Sequence, residues 1–320
     1  VVIMHDDGTS TDYTNAYRIA KARDIPTTSF ISPGLVGSGQ WYMNWDQIRE
    51  MRAAGHGIEC HTNTHLVLTS STEAEIRANL EAANAGFAAA GLAYPEHIAY
   101  PGGYAGDTEK AIISEYRASG RHVTDGVERV GWWDQNVSWY DLHAFTMHAQ
   151  SDADVTAIKA RIDDAIANKY ALFLYTHRVT DDPGVGECHT DLYEEILDYV
   201  AAKRDAGLIE PVTIDGLYRA MQGIRTLPAT SQGVLRGEVT PATIGRIVEY
   251  VGFVWGVSRR NNPEGAAPGA SGYDHSWTSV VGDYRLSNIL YVPTLTTGQT
   301  YYYRAAARID GVWYYGEELT

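Results

Sequence analysis

Cysteine is scarce: Cys60 and Cys188 are the only two in 320 residues, and they form no CxxC pair. A cysteine-ligated zinc site is therefore excluded, and one disulfide between them is permitted but not required. Positive charge is also short, with 25 Lys and Arg against 40 Asp and Glu and a net charge of −15. A nucleic-acid surface carries the opposite sign, and an anionic membrane surface repels such a chain. Hence neither a nucleic-acid partner nor membrane insertion is expected: no apolar run approaches the roughly 20 residues that cross a bilayer. No signal peptide is visible. The chain opens directly on Val1-Val2-Ile3-Met4, a buried-strand pattern, so residues upstream of Val1 are expected in the natural protein.

The remaining composition, 44% hydrophobic and 20% charged, is ordinary for a globular protein, and the length suits two domains. From residue 1 to about 224, short apolar runs alternate with helical patterns. Strands are expected at Val1–Met4, Thr27–Ile31, His56–Cys60, His97–Tyr100, Arg121–Val123, Ala144–Met147, Ala171–Tyr175 and Pro211–Thr213. Between them lie helices near Tyr13–Arg23, Trp45–Ala54, Thr72–Ala90, Asp107–Ala118, Asp152–Asn168, Leu192–Arg204 and Ile214–Gln222. Asn44 is a candidate N-cap, and Thr72 with Glu75 three residues on has capping-box spacing. Repeated βα units with apolar strands imply a parallel sheet covered by helices, enough of it to close a barrel, with working residues at the carboxyl ends of the strands. After Thr226-Leu227-Pro228 the pattern changes. Strand-like runs at Gly233–Val239, Glu249–Val257, Asp283–Ile289 and Thr300–Ile309, separated by Gly and Pro turns, read as an all-β sandwich. The expected domains are 1–227 and 228–320.

Three places put metal-ligand residue types just after strands: His5-Asp6-Asp7-Gly8, His61-Thr62-Asn63-Thr64-His65, and Leu174-Tyr175-Thr176-His177. Two imidazoles and one carboxylate make a three-ligand site with a position left open for water, whose pKa a bound metal lowers towards about 7. Asp6 and Asp7 are adjacent, so in extended chain their side chains diverge; one can bind metal while the other takes the water's proton. His177 is placed to protonate a leaving group. Two His and one carboxylate also suit an iron oxygenase, a reading that the second Asp and the strand order disfavour.

These residues resemble the motifs of the polysaccharide deacetylase family (NodB homology, carbohydrate esterase 4-like), over roughly residues 1–224. The resemblance implies a distorted (β/α) barrel followed here by a small all-β sandwich domain. It assigns Asp6 as general base, Asp7, His61 and His65 as metal ligands, His177 as catalytic acid and Leu174 as lining of the acetyl pocket. The implied ion is Zn2+, with Co2+, Mn2+ or Ni2+ as alternatives, and the implied partner an N-acetylated glycan of the chitin or peptidoglycan type. An O-acetyl xylan-type substrate, or a catalytically impaired carbohydrate-binding protein, are the alternatives. The third motif departs from the family: it stands as Ala99-Tyr100-Pro101-Gly102-Gly103, with Ala99 where an Arg orients the base. A backbone N–H near Gly102 keeps the oxyanion role, with Tyr100 and Pro101 beside it, and Arg121 is a candidate for the missing charge. The fourth motif, an Asp and a Trp, falls among Trp132, Trp133, Asp134, Trp139 and Asp141. These tryptophans, with Trp41 and Tyr42, read equally as sugar-stacking rings or as core. Thr300–Ala305, with Leu295 and Gly298 before it, resembles the late strand of a fibronectin type III domain. By association with such modules and with a glycan substrate, an extracellular or cell-surface setting is expected.

Overall fold

The computed structural model describes residues 1–123, 138–231, 233–239, 248–263, 265–280, 289–309 and 311–320. It divides into two compact units, residues 1–215 and 216–320, the division falling within a helix, α7 (Ile214–Gln222).

The first unit is a distorted (β/α) barrel. Its eight strands are β1 (Val2–His5), β2 (Thr28–Ile31), β3 (Gly57–Cys60), β4 (His97–Ala99), β5 (Ser119–His122), β6 (Leu142–His143), β7 (Phe145–Thr146) and β8 (Phe173–Thr176). All pair in parallel, in the order β6-β5-β4-β3-β2-β1-β8-β7. The two edge strands are separated only by Ala144: Leu142 and His143 pair with β5, and Phe145 and Thr146 pair with β8. One short stretch of chain thus switches partners midway, and the ring closes through the backbone rather than through a continuous hydrogen-bonded ladder. Two smaller strands, β9 (Val179–Thr180) and β10 (Cys188–His189), pair beside it.

Helices α2 (Trp45–Ala53) and α3 (Glu73–Ala89) start where expected, each with both halves of a capping box, Asn44 with Gln47 and Thr72 with Glu75. The expected helix near Tyr13–Arg23 is instead a π-helical segment, Asp12–Tyr17, running into one turn of α-helix, α1 (Arg18–Lys21). The expected strand Pro211–Thr213 does not form; Pro211 has no N–H to give a ladder, and the neighbouring Val212 N–H bonds to Val1 O.

Alternation along the strands sets two faces. Outward residues meet the helices α4 (Asp107–Ser114), α5 (Asp152–Asn168) and α6 (Thr190–Asp205) as well as α2 and α3. Ile3 and Leu174 pack with Ile158, Ile162 and Ile196, and Cys60 and Ile98 pack with Ile76, Leu80 and Ile113. Each such side chain contributes roughly 1.5–3 kcal/mol on leaving water. Both cysteines are buried free thiols. The inward face carries polar groups instead, Asp6, Glu59, His97 and Arg121, all buried, and it is this face that opens at the strands' carboxyl ends.

The second unit is antiparallel. One sheet has the order β11 (Ile224–Leu227), β12 (Leu235–Val239), β15 (Ile289–Tyr291); the other runs β14 (His275–Val280), β13 (Val248–Gly256), β16 (Tyr302–Ile309), β17 (Val312–Tyr315). Phe253, Trp255, Tyr303 and Ala305 from the second sheet share a core with Ile224, Leu235 and Ile289 from the first. Most of the expected strand Asp283–Ile289 lies outside the described residues, and β11 and β14 were not anticipated.

Candidate metal centre

The motif residues converge at the carboxyl ends of the barrel strands. Asp6 follows β1 and is fixed by its N–H bonding Thr176 O of β8 at 3.0 Å. At Asp7 the chain turns into the left-handed region, φ 72°, which swings its carboxylate away from that of Asp6. After β3, His61 and His65 are brought to one side by left-handed residues at Thr62 and His65. The Thr62 hydroxyl accepts the Leu66 N–H at 2.7 Å and so fixes that turn. Three of the five non-glycine residues with positive φ among the described residues therefore sit in these two loops. Strain of that kind is kept where surrounding structure enforces it, commonly at working sites.

Asp7 Oδ1 lies 3.3 Å from His61 Nε2 and 3.5 Å from His65 Nε2, and the three candidate donors all fall within 4.8 Å of one another. Donors about 2.0–2.1 Å from one tetrahedral ion stand about 3.3–3.4 Å apart, so the spacing fits a shared cation. Asp7 Oδ1 is buried and makes no hydrogen bond of ordinary geometry, which leaves it as an orphan acceptor that an ion would satisfy. The tautomer fits too. Ala99 O can only accept, so His61 Nδ1, at 2.9 Å, carries the proton and leaves the Nε2 lone pair towards Asp7. Burial by itself would raise the Asp7 pKa, but His61, together with His177 and His65, holds it below the ordinary value and keeps it ionised. Burial and the neighbouring His61 lower the pKa of His65 and favour its neutral, ligating form.

Beside this cluster, on the inward face, Arg121 Nη2 donates to both oxygens of Asp6, at 2.5 and 2.6 Å. Both side chains are 2% exposed. The guanidinium lies over two rings, 5.3 Å from the centre of Phe30 and 4.7 Å from that of Tyr175. The ion pair is thus desolvated and geometrically fixed, the case in which partners depend on each other most. Ala99, where an Arg was expected, neighbours Arg121 in register on β4 and β5, so the charge arrives from the adjacent strand.

His177 follows β8. Its Nδ1 lies 3.1 Å from Gly186 O. Leu174 does not line this site: it is fully buried on the outward face among Ile3, Ile158 and Ile162. The period of two places Tyr175, two residues before His177, on the inward face, and counting back from His177 would have found it. Tyr100 likewise turns its ring outward, into the cluster with Ile98 and Ile113, and donates to Tyr140 O at 3.0 Å. Pro101 is buried and offers no N–H; Gly102, at φ 73°, and Gly103 carry the chain across the mouth. Another side chain at Gly103 would place its Cβ 1.7 Å from Val123 Cγ2.

Of the fourth-motif candidates, Trp132, Trp133 and Asp134 lie outside the described residues. Asp141 bonds Lys110 at 2.9 Å and approaches His122 at 3.2 Å. Trp41 is exposed, with the Arg178 guanidinium 5.0 Å from its ring centre.

Residues 1–120 match the family model described as polysaccharide deacetylase. A comparison with curated proteins gives no match. Among solved structures, similarity is found to the T48 deacetylase with substrate, 17% identical over 68% of this chain and 89% of that one, TM-score 0.45. A family 4 carbohydrate esterase from Streptomyces lividans in complex with acetate is 16% identical over 65% of this chain and 88% of that one, TM-score 0.43. The Streptococcus pyogenes deacetylase PplD in complex with acetate is 22% identical over 45% of this chain, TM-score 0.38, and the match spans 62% of its length.

Proposed function

We propose that residues 1–227 are the catalytic domain of a metal-dependent polysaccharide deacetylase. It hydrolyses N-acetyl groups of an amino-sugar polymer of the chitin or peptidoglycan type and releases acetate. One observation carries the reading: Asp7, His61 and His65 bring their donor atoms within 4.8 Å of one another at the mouth of a parallel barrel, inside the segment that matches the deacetylase family model.

Asp7, His61 and His65 would hold a divalent cation, Zn2+ by the nitrogen and oxygen donor set, which supplies Lewis acidity to a water and to the acetyl carbonyl. Asp6 accepts the proton of the attacking water. Arg121 fixes the Asp6 carboxylate and, with the rings of Phe30 and Tyr175, keeps bulk solvent from it. The water oxygen forms a bond to the acetyl carbon, the carbon–nitrogen bond breaks, and His177, entering the step as imidazolium, gives its Nε2 proton to the departing nitrogen. Acetate and a free amine result. To the backbone N–H at Gly102 we assign donation to the oxyanion.

For the second unit we propose a fibronectin type III-like sandwich serving as a spacer. Its three-strand sheet facing a four-strand sheet supports this. So does Tyr301, whose hydroxyl accepts the Thr296 N–H at 3.2 Å, a tyrosine bonding back to backbone just upstream as at the corner of such sandwiches.

Acetate release from chitin oligomers, assayed alongside acetylated xylan, tests the function. Release from chitin oligomers is expected, lost on chelation and restored by Zn2+. Preferential release from xylan would move the substrate to O-acetyl esters. Absence of release from either substrate after loading with Zn2+ would overturn the reading.

A further inference from the structure

His177 has no carboxylate partner among the described residues. Its ring is oriented by a peptide group. Gly186 O takes the His177 backbone N–H at 3.1 Å and lies 3.1 Å from His177 Nδ1. A carbonyl oxygen only accepts, so Nδ1 carries a proton, and the second proton, the one the imidazolium form carries on Nε2, is the one a leaving group can take. The other side of the same residue is also engaged: Gly186 N lies 2.9 Å from His148 Nδ1. A backbone N–H only donates, so His148 Nδ1 carries the lone pair. Gly186 therefore stands between two imidazoles and demands opposite tautomers of them.

The position is built for this. Gly186 sits at φ +80°, a conformation that favours glycine, and a Cβ there would crowd His177 Nδ1 at 3.1 Å. The rest of its loop is tied down. Gln150 Nε2 donates to Pro183 O and Gly184 O at 3.2 and 2.6 Å, Gly184 N–H donates to Glu187 at 2.7 Å, and Glu187 pairs with Arg178 at 3.3 Å. His148 is the side chain in this set that holds Gly186 itself. It follows β7, so the barrel strand adjoining β8 supplies the second support of the acid.

We propose that His148 is a positioning residue for His177, acting through Gly186. By accepting the Gly186 N–H, it holds the carbonyl that fixes the tautomer and direction of the catalytic imidazole. The part played by His177 rests on the proposed function; the hydrogen-bond chain does not.

The test compares His148→Ala and His148→Asn in the full-length, Zn2+-loaded protein. The Asn Oδ1 stands where His Nδ1 does and can accept the same N–H. On chitin oligomers, His148→Ala is expected to lower kcat by about tenfold to a hundredfold, the scale of a misplaced reacting group, with KM and bound zinc unchanged. His148→Asn is expected to restore kcat to within about threefold of wild type by the same logic. Long-range 1H–15N spectra should show His177 protonated at Nδ1 in wild type and His148→Asn, and a mixed or altered tautomer in His148→Ala. An unchanged kcat in His148→Ala, an Asn variant as impaired as the Ala variant, or a wild-type His177 protonated only at Nε2 would each overturn the proposal. If wild type released no acetate, the functional reading would fail, and the spectra would still decide the positioning.

Discussion

Asp6→Asn should lower kcat on chitin oligomers by about 10²- to 10⁴-fold, the usual contribution of a positioned general base, while the protein keeps its cation. Asn has nearly the shape of Asp and retains an oxygen for Arg121, but it takes no proton from water. The cation is retained because Asp7, not Asp6, faces His61 and His65. A stability cost accompanies the change: Arg121 is buried against Asp6, and breaking a buried pair from one side costs on the order of 3–5 kcal/mol. Acetate release and bound zinc, measured on the same preparation, separate the effects. A variant within about threefold of the wild-type rate would remove Asp6 as the base.

The second large effect is expected at Arg121. Arg121→Met keeps most of the volume between Phe30 and Tyr175 and removes the charge. The Asp6 carboxylate is then left in a dry site without a partner. At neutral pH, kcat should fall by about a hundredfold, within the range for losing a functional base. Joining Asp6→Asn with Arg121→Met leaves no buried charge unpaired and should recover stability relative to either single variant. It should recover no activity. That contrast distinguishes a catalytic arginine from a structural one. Equal losses of rate and folded fraction in Arg121→Met would make it structural only.

The βα alternation, the two capping boxes and the three motif segments were legible in the sequence because each depends on neighbours along the chain. Asp7, His61 and His65 are separated by loops, yet each follows a strand of a parallel sheet, and parallel order alone brings those ends together. Leu174 was misplaced because a wholly apolar strand hides its own alternation; only the period counted from His177 separates Leu174 from Tyr175. The closure at Ala144 was hidden because a two-residue strand carries no pattern. β14, His-Ser-Trp-Thr-Ser-Val, is almost wholly polar and exposed, so hydrophobic periodicity could not report it. The link from His148 to His177 depends on a loop returning over β8, and no spacing encodes it.

The proposed catalysis requires a cation held between Asp7, His61 and His65. Calorimetric titration of Zn2+ into chelator-stripped protein measures it directly. The expected result is one site per chain, weakened by at least about a hundredfold in Asp7→Ala and in His61→Ala, since changes even to groups behind a ligand cost 10- to 100-fold. A wild-type protein that binds no zinc, or an Asp7→Ala variant that binds it as tightly as wild type, would contradict it.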